Sequence, residues 1–415
     1  MLRTDVVLLK PTVGQEKELF RLAEQSSLLW NQADYERRQA FFKHEKMPGY
    51  SKQCYTFKTS EHFKVIGTGK AQALLKKLAE SWNSFWELKK MQSQGRLPPH
   101  IQKVSPPKYW KDRRTKQTEI KMFCVRNDCY RIKGSAIVLS KSLKIQYAAD
   151  RIRNGKYGRL DVIYDGLSNR WYAHIPVKVR RPKRTHQSTV KRYGSIDLGI
   201  CNIATLYVPN ERPLIYSGRA VLSDWTYHTK KITELQSQLR QEQHTSQRIR
   251  KLFRMRRRRF THANNSMLRD LFERAAKMGV THLAVGDLND IRDGKDLGAR
   301  TNQKVHNFWN YASMLKRIKE LGEESGIKVV LVSEAYTSKT CCMCGKQHNG
   351  RIHRGLHFCK ENNVVINADA SGAYNMYNVA VYGSLCPEHT AQERSSGSRA
   401  LASPLMLRWE YHRWH

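Results

Sequence analysis

No run of about 18 apolar residues occurs in this chain, which excludes a transmembrane helix of ordinary length. The opening residues Met1-Leu2-Arg3-Thr4-Asp5 carry no apolar signal-peptide core, so the expected compartment is the cytoplasm. Acidic residues are scarce: 36 Asp and Glu stand against 74 Lys and Arg, a formal net charge of +38. An excess of that size attracts a polyanion, with binding that weakens steeply as salt rises. A general RNA-coating protein is the plainer reading of charge alone. Nine cysteines are present, three of them between positions 341 and 344. In a cytoplasmic chain such clustering favours metal binding over disulfides. At 415 residues there is room for two or three domains with sizeable cores.

Three short stretches, far apart in sequence, each set an acidic residue at the edge of a strand-like run. They are Ser195-Ile196-Asp197-Leu198-Gly199, Leu283-Ala284-Val285-Gly286-Asp287-Leu288 and Asn367-Ala368-Asp369-Ala370-Ser371-Gly372-Ala373. In an open α/β sheet, ligands bind in the crevice beyond the strand ends. Divalent cations clamping a phosphodiester need several carboxylates converging there, and magnesium prefers hard oxygen ligands. A lone Asp in such a place is more often a turn or helix cap. Two such contexts in one strongly basic chain point instead to a nuclease.

Apolar spacing outlines the rest. Val6 to Leu9 reads as a strand, then Leu19, Leu22, Ala23, Leu29 and Trp30 fall on one helical face, as do Leu74, Leu75, Leu78, Trp82, Phe85 and Trp86. Arg37, Arg38, Lys76 and Lys77 are expected on the opposite, solvated face. Pro98-Pro99 and Pro106-Pro107 mark a linker, and short strands follow, with Asp165-Gly166-Leu167-Ser168-Asn169 as a hairpin turn. A basic connector at 180–192 leads into strands alternating with helices, the pattern of an α/β sheet. Within it, Arg254 and the run Arg256-Arg257-Arg258-Arg259 cover every face of a helix, and phosphate contact is the expected use. Ser, Arg, Gln and Gly accumulate after residue 383, so 383–415 is expected to be a disordered tail.

Ile196-Asp197-Leu198-Gly199, Gly286 to Arg292, Tyr336-Thr337-Ser338-Lys339-Thr340-Cys341 and Asn367 to Asn375 together resemble the RuvC-type core of the TnpB family. TnpB proteins are transposon-encoded, RNA-guided DNA endonucleases related to type V CRISPR effectors. The resemblance spans about 193–380 by motif and 1–190 by layout. It implies a multidomain α+β protein: a helical recognition domain at 13–104, a β-barrel wedge domain from 1–12 with 105–190, and an RNase H-like (RuvC) nuclease domain at 191–382 with a zinc-ribbon-like insertion at about 338–365. The implied partners are a guide RNA from the transposon end and a double-stranded DNA target, bound by a monomer with its RNA.

Where the family has its middle Glu, this chain has Gly286. Glu334, at the end of the Ile327–Val332 run, is the favoured replacement, with Asp287 as the alternative. Side chains alternate along a strand, so a one-residue shift turns Asp287 to the other face. Asp197, Glu334 and Asp369 would then hold two Mg²⁺ (or Mn²⁺) ions roughly 3.5–4 Å apart. Cys341, Cys344 and Cys359 form most of a structural zinc site, with His357, His348 or Cys342 as a candidate fourth ligand, because Asn362 stands where a last Cys is expected. A metal-free knuckle is the other reading. The missing Glu at 286 supports a rival function, an RNA-guided DNA-binding regulator that does not cut. A transposase or resolvase acting without RNA lacks a recognisable nucleophilic Tyr or Ser motif.

Overall fold

The computed structural model describes the chain except residues 99–100, 113–116, 141, 149–151, 181–190, 242, 244, 288–297, 299–307, 348–351, 353–354 and 386–399. Most of the expected basic connector, and His348, lie outside the described residues. The chain divides into two compact units, Met1–Arg180 and Arg181–His415.

The first unit begins with strand β1 (Leu2–Lys10) and then four helices, α1 (Val13–Phe42), α2 (Tyr50–Thr56), α3 (Glu61–Ile66) and α4 (Thr68–Ser93). Thr12 and Gln15 form a reciprocal capping box that fixes the start of α1. Strands β2 (Met122–Val125), β3 (Arg131–Lys133), β4 (Ala136–Val138), β5 (Lys144–Ala148), β6 (Lys156–Tyr157), β7 (Leu160–Asp165) and β8 (Arg170–Lys178) complete it. They form an antiparallel sheet ordered β2-β7-β8-β1-β5-β4-β3, with β6 on β8. Trp171, Ala173, Ile175 and Val177 are buried at every second position of β8, the period-two signature of a sheet with one covered face. The hairpin expected around residues 165–169 joins β7 to β8.

The helical stretch and the sheet, expected as separate domains, share one hydrophobic core in a single compact unit. The reason is that the apolar stripes of α1 and α4 bury against the sheet as well as each other. The expectation of a fully solvated basic face is also corrected. Arg37 is buried and donates to Gln53 Oε1 at 2.6 Å, and Lys77 Nζ bonds Asp161 Oδ2 at 2.6 Å. Beside Arg37, burial pushes the Asp34 carboxyl up to about 6, although Trp82 Nε1 donates to it.

The second unit is built on a mixed sheet. Its strands are β9 (Tyr193–Leu198), β10 (Asn202–Tyr207), β11 (Leu214–Ser217), β12 (His282–Asp287) and β13 (Lys328–Ser333), then β14 (Leu356–Cys359) and β15 (Val364–Asn367) as a separate hairpin, and finally β16 (Leu405–Glu410) and β17 (Arg413–Trp414). Helices α5 (Arg219–Ser237), α6 (Gln247–Lys277), α7 (Tyr311–Ser325) and α8 (Ala368–Tyr382) pack around it. The order is β13-β12-β9-β10-β11-β16-β17. Strands β9, β10 and β11 form an antiparallel meander, whereas β12 runs parallel to β9 and β13 parallel to β12.

The tail is not all disordered. Strand β16 pairs in parallel with β11, and β17 folds back on β16 through Tyr411 and His412, whose φ angles of 47° and 62° make the left-handed two-residue turn that suits a tight hairpin. Polar composition between 386 and 399 hid a docking signal further on: Leu407 and Trp414 enter the core, and Trp414 Nε1 donates to Ala263 O at 3.2 Å. Replacing Trp414 with Ala is therefore expected to lower the unfolding free energy of this unit by about 3 kcal/mol in a urea titration. A change under ~0.5 kcal/mol, the usual effect at an exposed position, would show that the hairpin is not docked.

Candidate active site

Parallel pairing puts strand ends level. Val285 of β12 pairs with Ile196 of β9, so the next step in register brings Gly286 level with Asp197. On the other side, Gly286 pairs with Val332 of β13, and Glu334 follows two residues on. Alternation then decides which side chains meet. Ala284 and Val332 pack with Met376 of α8, so positions 286 and 334 face the same helix. Ser195 Oγ donates to Ala373 O of α8 at 2.6 Å, which turns Asp197, two residues on, the same way.

Gly286 is open for a reason. A Cβ built there would fall within the Glu334 carboxyl group, so Glu334 occupies the volume that a side chain at 286 would need. Asp287 is exposed, as strand alternation predicts for the position after Gly286, although its charge still reaches Glu334. Glu334 Oε1 is buried and has no hydrogen-bond partner among the described residues. Burial, then the negative charges of Asp197 and Asp287, push its carboxyl up to about 8.

Asp369 reaches this edge from α8. Asn367 caps the helix, its Oδ1 accepting from Asp369 N at 3.0 Å and Ala370 N at 3.1 Å. One turn later, a Cβ at Gly372 would stand 2.8 Å from Asp197 Oδ2, so only glycine lets the helix come this close to the carboxylate. Asn202 Nδ2 donates to Asp369 Oδ2 at 2.5 Å. A register shift between Asn202 and Ala204 re-aims that side chain, and nothing in the sequence marked it. Asn375, the last residue of the Asn367–Asn375 motif, is buried, and its amide donates to Thr337 O and Thr340 O, both at 2.8 Å, while Thr337 in turn bonds Glu334 O. Asn375 thereby ties the turn after Glu334 to the helix bearing Asp369.

The oxygen-rich donor set and the orphaned buried carboxyl oxygen fit a hard divalent cation, whose charge would remove the penalty of ionising Glu334. The acids are more widely spread than the cysteines: among the described residues, the group whose ligand atoms all lie within 4.8 Å is Cys341, Cys344 and Cys359. Gly345 N bonds Cys341 O at 2.8 Å, with Gly345 at φ 77°, closing the knuckle as glycine permits. Cys342 stands outside this group, buried against Ser371, and burial pushes its thiol up to about 12. His357 is buried on the same face of β14 as Cys359 but also falls outside the group. Neither is brought into place as a fourth ligand.

The arginine run divides. Arg256 Nη1 donates to Thr229 Oγ1 at 2.8 Å and its guanidinium lies 4.0 Å from the Trp225 ring centroid, and Arg259 pairs with Asp224 at 2.8 Å. The expectation of phosphate contact is thus corrected for Arg256, which is committed to packing α6 on α5. Arg257 and Arg258 are exposed, and Arg254 is half-buried.

A family profile for a probable transposase (OrfB_IS605) matches residues 174–292, and one for a Cas12f1-like TNB domain matches residues 311–376. The TnpB-like protein ORF457 of Acidianus two-tailed virus is 31% identical over 412 residues, covering 91% of this chain and 87% of that one. The CRISPR-associated endodeoxyribonuclease Cas12f1 of Sulfoacidibacillus thermotolerans is 27% identical over 55% of each chain. A TnpB-like protein of Aquifex aeolicus (strain VF5) is 30% identical over 26% of this chain and 36% of its own.

Glu334 titrates at about 8 in the fold against an ordinary 4.5, so its neutral form favours folding: that contribution is fully present below pH 4.5 and is lost as pH rises through about 8. In EDTA, the melting temperature should fall more steeply across this window in the wild type than in Glu334→Gln. Parallel curves would refute the buried carboxyl.

Proposed function

Since this chain belongs to the TnpB-like family, we propose that it is an RNA-guided DNA endonuclease with a RuvC-like site, using a guide RNA from the transposon end to select double-stranded DNA. The carrying observation is the Glu334 carboxyl standing in the side-chain space of Gly286, beside Asp197. The family's acidic position is refilled from the neighbouring strand rather than lost. The antiparallel meander followed by two parallel strands also supports an RNase H-like assignment.

Asp197, Glu334 and Asp369 would hold two Mg²⁺ or Mn²⁺ ions, Asp287 being the weaker third candidate because it is exposed. Such ions would supply the charge that activates a water for attack and neutralises the leaving oxygen of the cut strand. Asn202 holds Asp369 in its rotamer, and Asn375 with Thr337 fixes the turn that delivers Glu334. Arg257 and Arg258, with Arg254, present positive charge to phosphates along α6, where base pairing with the guide would read sequence and the protein would follow the backbone. Cys341, Cys344 and Cys359 would hold a structural Zn²⁺ with a fourth ligand from outside the group. We place the protein in the cytoplasm as a monomer with its RNA; no helix among the described residues is long and apolar enough to cross a membrane.

Gly286 is the one observation favouring a non-cutting regulator, and the same experiment separates the two. Asp197→Ala should keep guide-directed DNA binding and lose magnesium-dependent cutting by more than about a hundredfold, beyond the ~10–100-fold typical of residues that only support a ligand. Gly286→Glu alone should also abolish cutting by colliding with Glu334, while Gly286→Glu with Glu334→Gly should restore part of it. Wild-type binding without cutting selects the regulator, and cutting by Asp197→Ala removes the assignment. Metal analysis is expected to find about one zinc per chain, lost in Cys344→Ser. Less than half an equivalent in fresh wild-type protein would eliminate the zinc site.

A further inference from the structure

Beyond β13 the chain turns sharply at the acidic edge. Thr337 N bonds Glu334 O at 3.2 Å, so residues 334–337 make a turn that begins at the proposed third acid. Its third residue is Tyr336, at φ 64°, in the left-handed region where glycine or asparagine is the usual occupant. A tyrosine there costs conformational free energy, and such outliers collect at ligand clamps and active sites. Burial does not offset that cost, because the side chain is 58% exposed. Lys339 is exposed as well, with its ammonium 5.9 Å from the centre of the Tyr336 ring. The backbone beneath them is fixed. Tyr336 O accepts from Lys339 N and Thr340 N, both at 3.0 Å. Thr337 and Thr340 are buried, and their carbonyls hold the Asn375 amide of α8.

We propose that Tyr336 and Lys339 form a nucleotide subsite at the lip of the acidic cluster. The ring stacks on the base adjoining the phosphate to be cut, and Lys339 holds that nucleotide's own phosphate. The inference deepens the nuclease reading above and rests on it. Tyr336 follows Glu334 by two residues, so their Cα atoms are no more than about 7 Å apart. A nucleotide next to a phosphate held at the acids therefore falls within reach of the ring. A ring with a cation beside it suits a ligand that joins a π-face to a negative charge, as a nucleotide does. A free phosphate would use Lys339 alone, and an apolar ligand would use only the ring. Lys339 also supplies positive charge beside Asp197 and Asp287, whose charges reach Glu334 and would repel a phosphate strand. Stacking tolerates any base, so the subsite grips a strand whose sequence is read by pairing with the guide.

The test uses the protein with its guide RNA and target DNA, in Ca²⁺ to hold the complex without rapid cutting. 5-Iododeoxyuridine is placed at one target position at a time, and long-wavelength ultraviolet light joins it to a stacked aromatic ring. Mass spectrometry should find the adduct on Tyr336 at one or two neighbouring positions. In Mg²⁺, Tyr336→Gly should lower kcat/KM for cutting at least about tenfold, the scale of one stacked base. Tyr336→Phe, which keeps the ring, should recover most of that loss. The melting temperature of Tyr336→Gly should not fall, because glycine suits the left-handed backbone. Lys339→Gln should reduce the slope of log affinity against log salt by about one. DNA bound and cut with no Tyr336 adduct overturns the proposal. So does normal cutting by Tyr336→Gly, a lowered melting temperature that accounts for its loss, or an unchanged slope in Lys339→Gln. A Tyr336 adduct in a complex that never cuts keeps the subsite and removes the nuclease, whereas a protein that binds no DNA removes both.

Discussion

Like charges resist being gathered, and the second unit works against that resistance at one sheet edge. Burial first, and then the charges of Asp197 and Asp287, raise the Glu334 carboxyl. What holds the group together is the seating of α8 on the sheet. Small residues at 370–373 let the helix lie against β9, Ser195 bonds its backbone, and Asn375 ties down the turn beyond β13. Neutral packing and hydrogen bonds thus oppose electrostatic repulsion, and protonation of Glu334 relieves what remains.

The exchange between Gly286 and Glu334 follows from sheet geometry. Neighbouring parallel strands bring equivalent positions level, so a carboxylate can move from one strand to the end of the next and still reach the same crevice. A shift of one residue within the same strand cannot do this, because it reverses the side chain's direction. Two strands therefore offer one functional position, provided the vacated site has no side chain.

The placement of Asp197 and Asp369 at the sheet edge under α8 was legible from the strand-like run before one and the small residues after the other. That Glu334 rather than Asp287 stands in the side-chain space of Gly286 was legible through alternation, a local rule. Asn202 was not, since its aim depends on a bulge that no residue type announces. The division of the arginine run was equally hidden: four identical neighbours give no sign of which meets Trp225 and Asp224 on another helix. The shared core of the first unit was not legible, because apolar stripes show that a helix is buried but not against what. The tail was misjudged by averaging a polar segment with a short docking hairpin.

That hairpin has a consequence for biosynthesis. Polypeptides emerge from the ribosome amino-terminus first, and domains generally fold as units in that order. Strand β11 waits for a parallel neighbour drawn from residues 405–410, so this unit stays incomplete until those residues have been made. A chain cut short by a premature stop would leave the β11 edge bare and adhesive toward other nascent chains. Synthesis of residues 405–410 is thereby coupled to closure of this sheet.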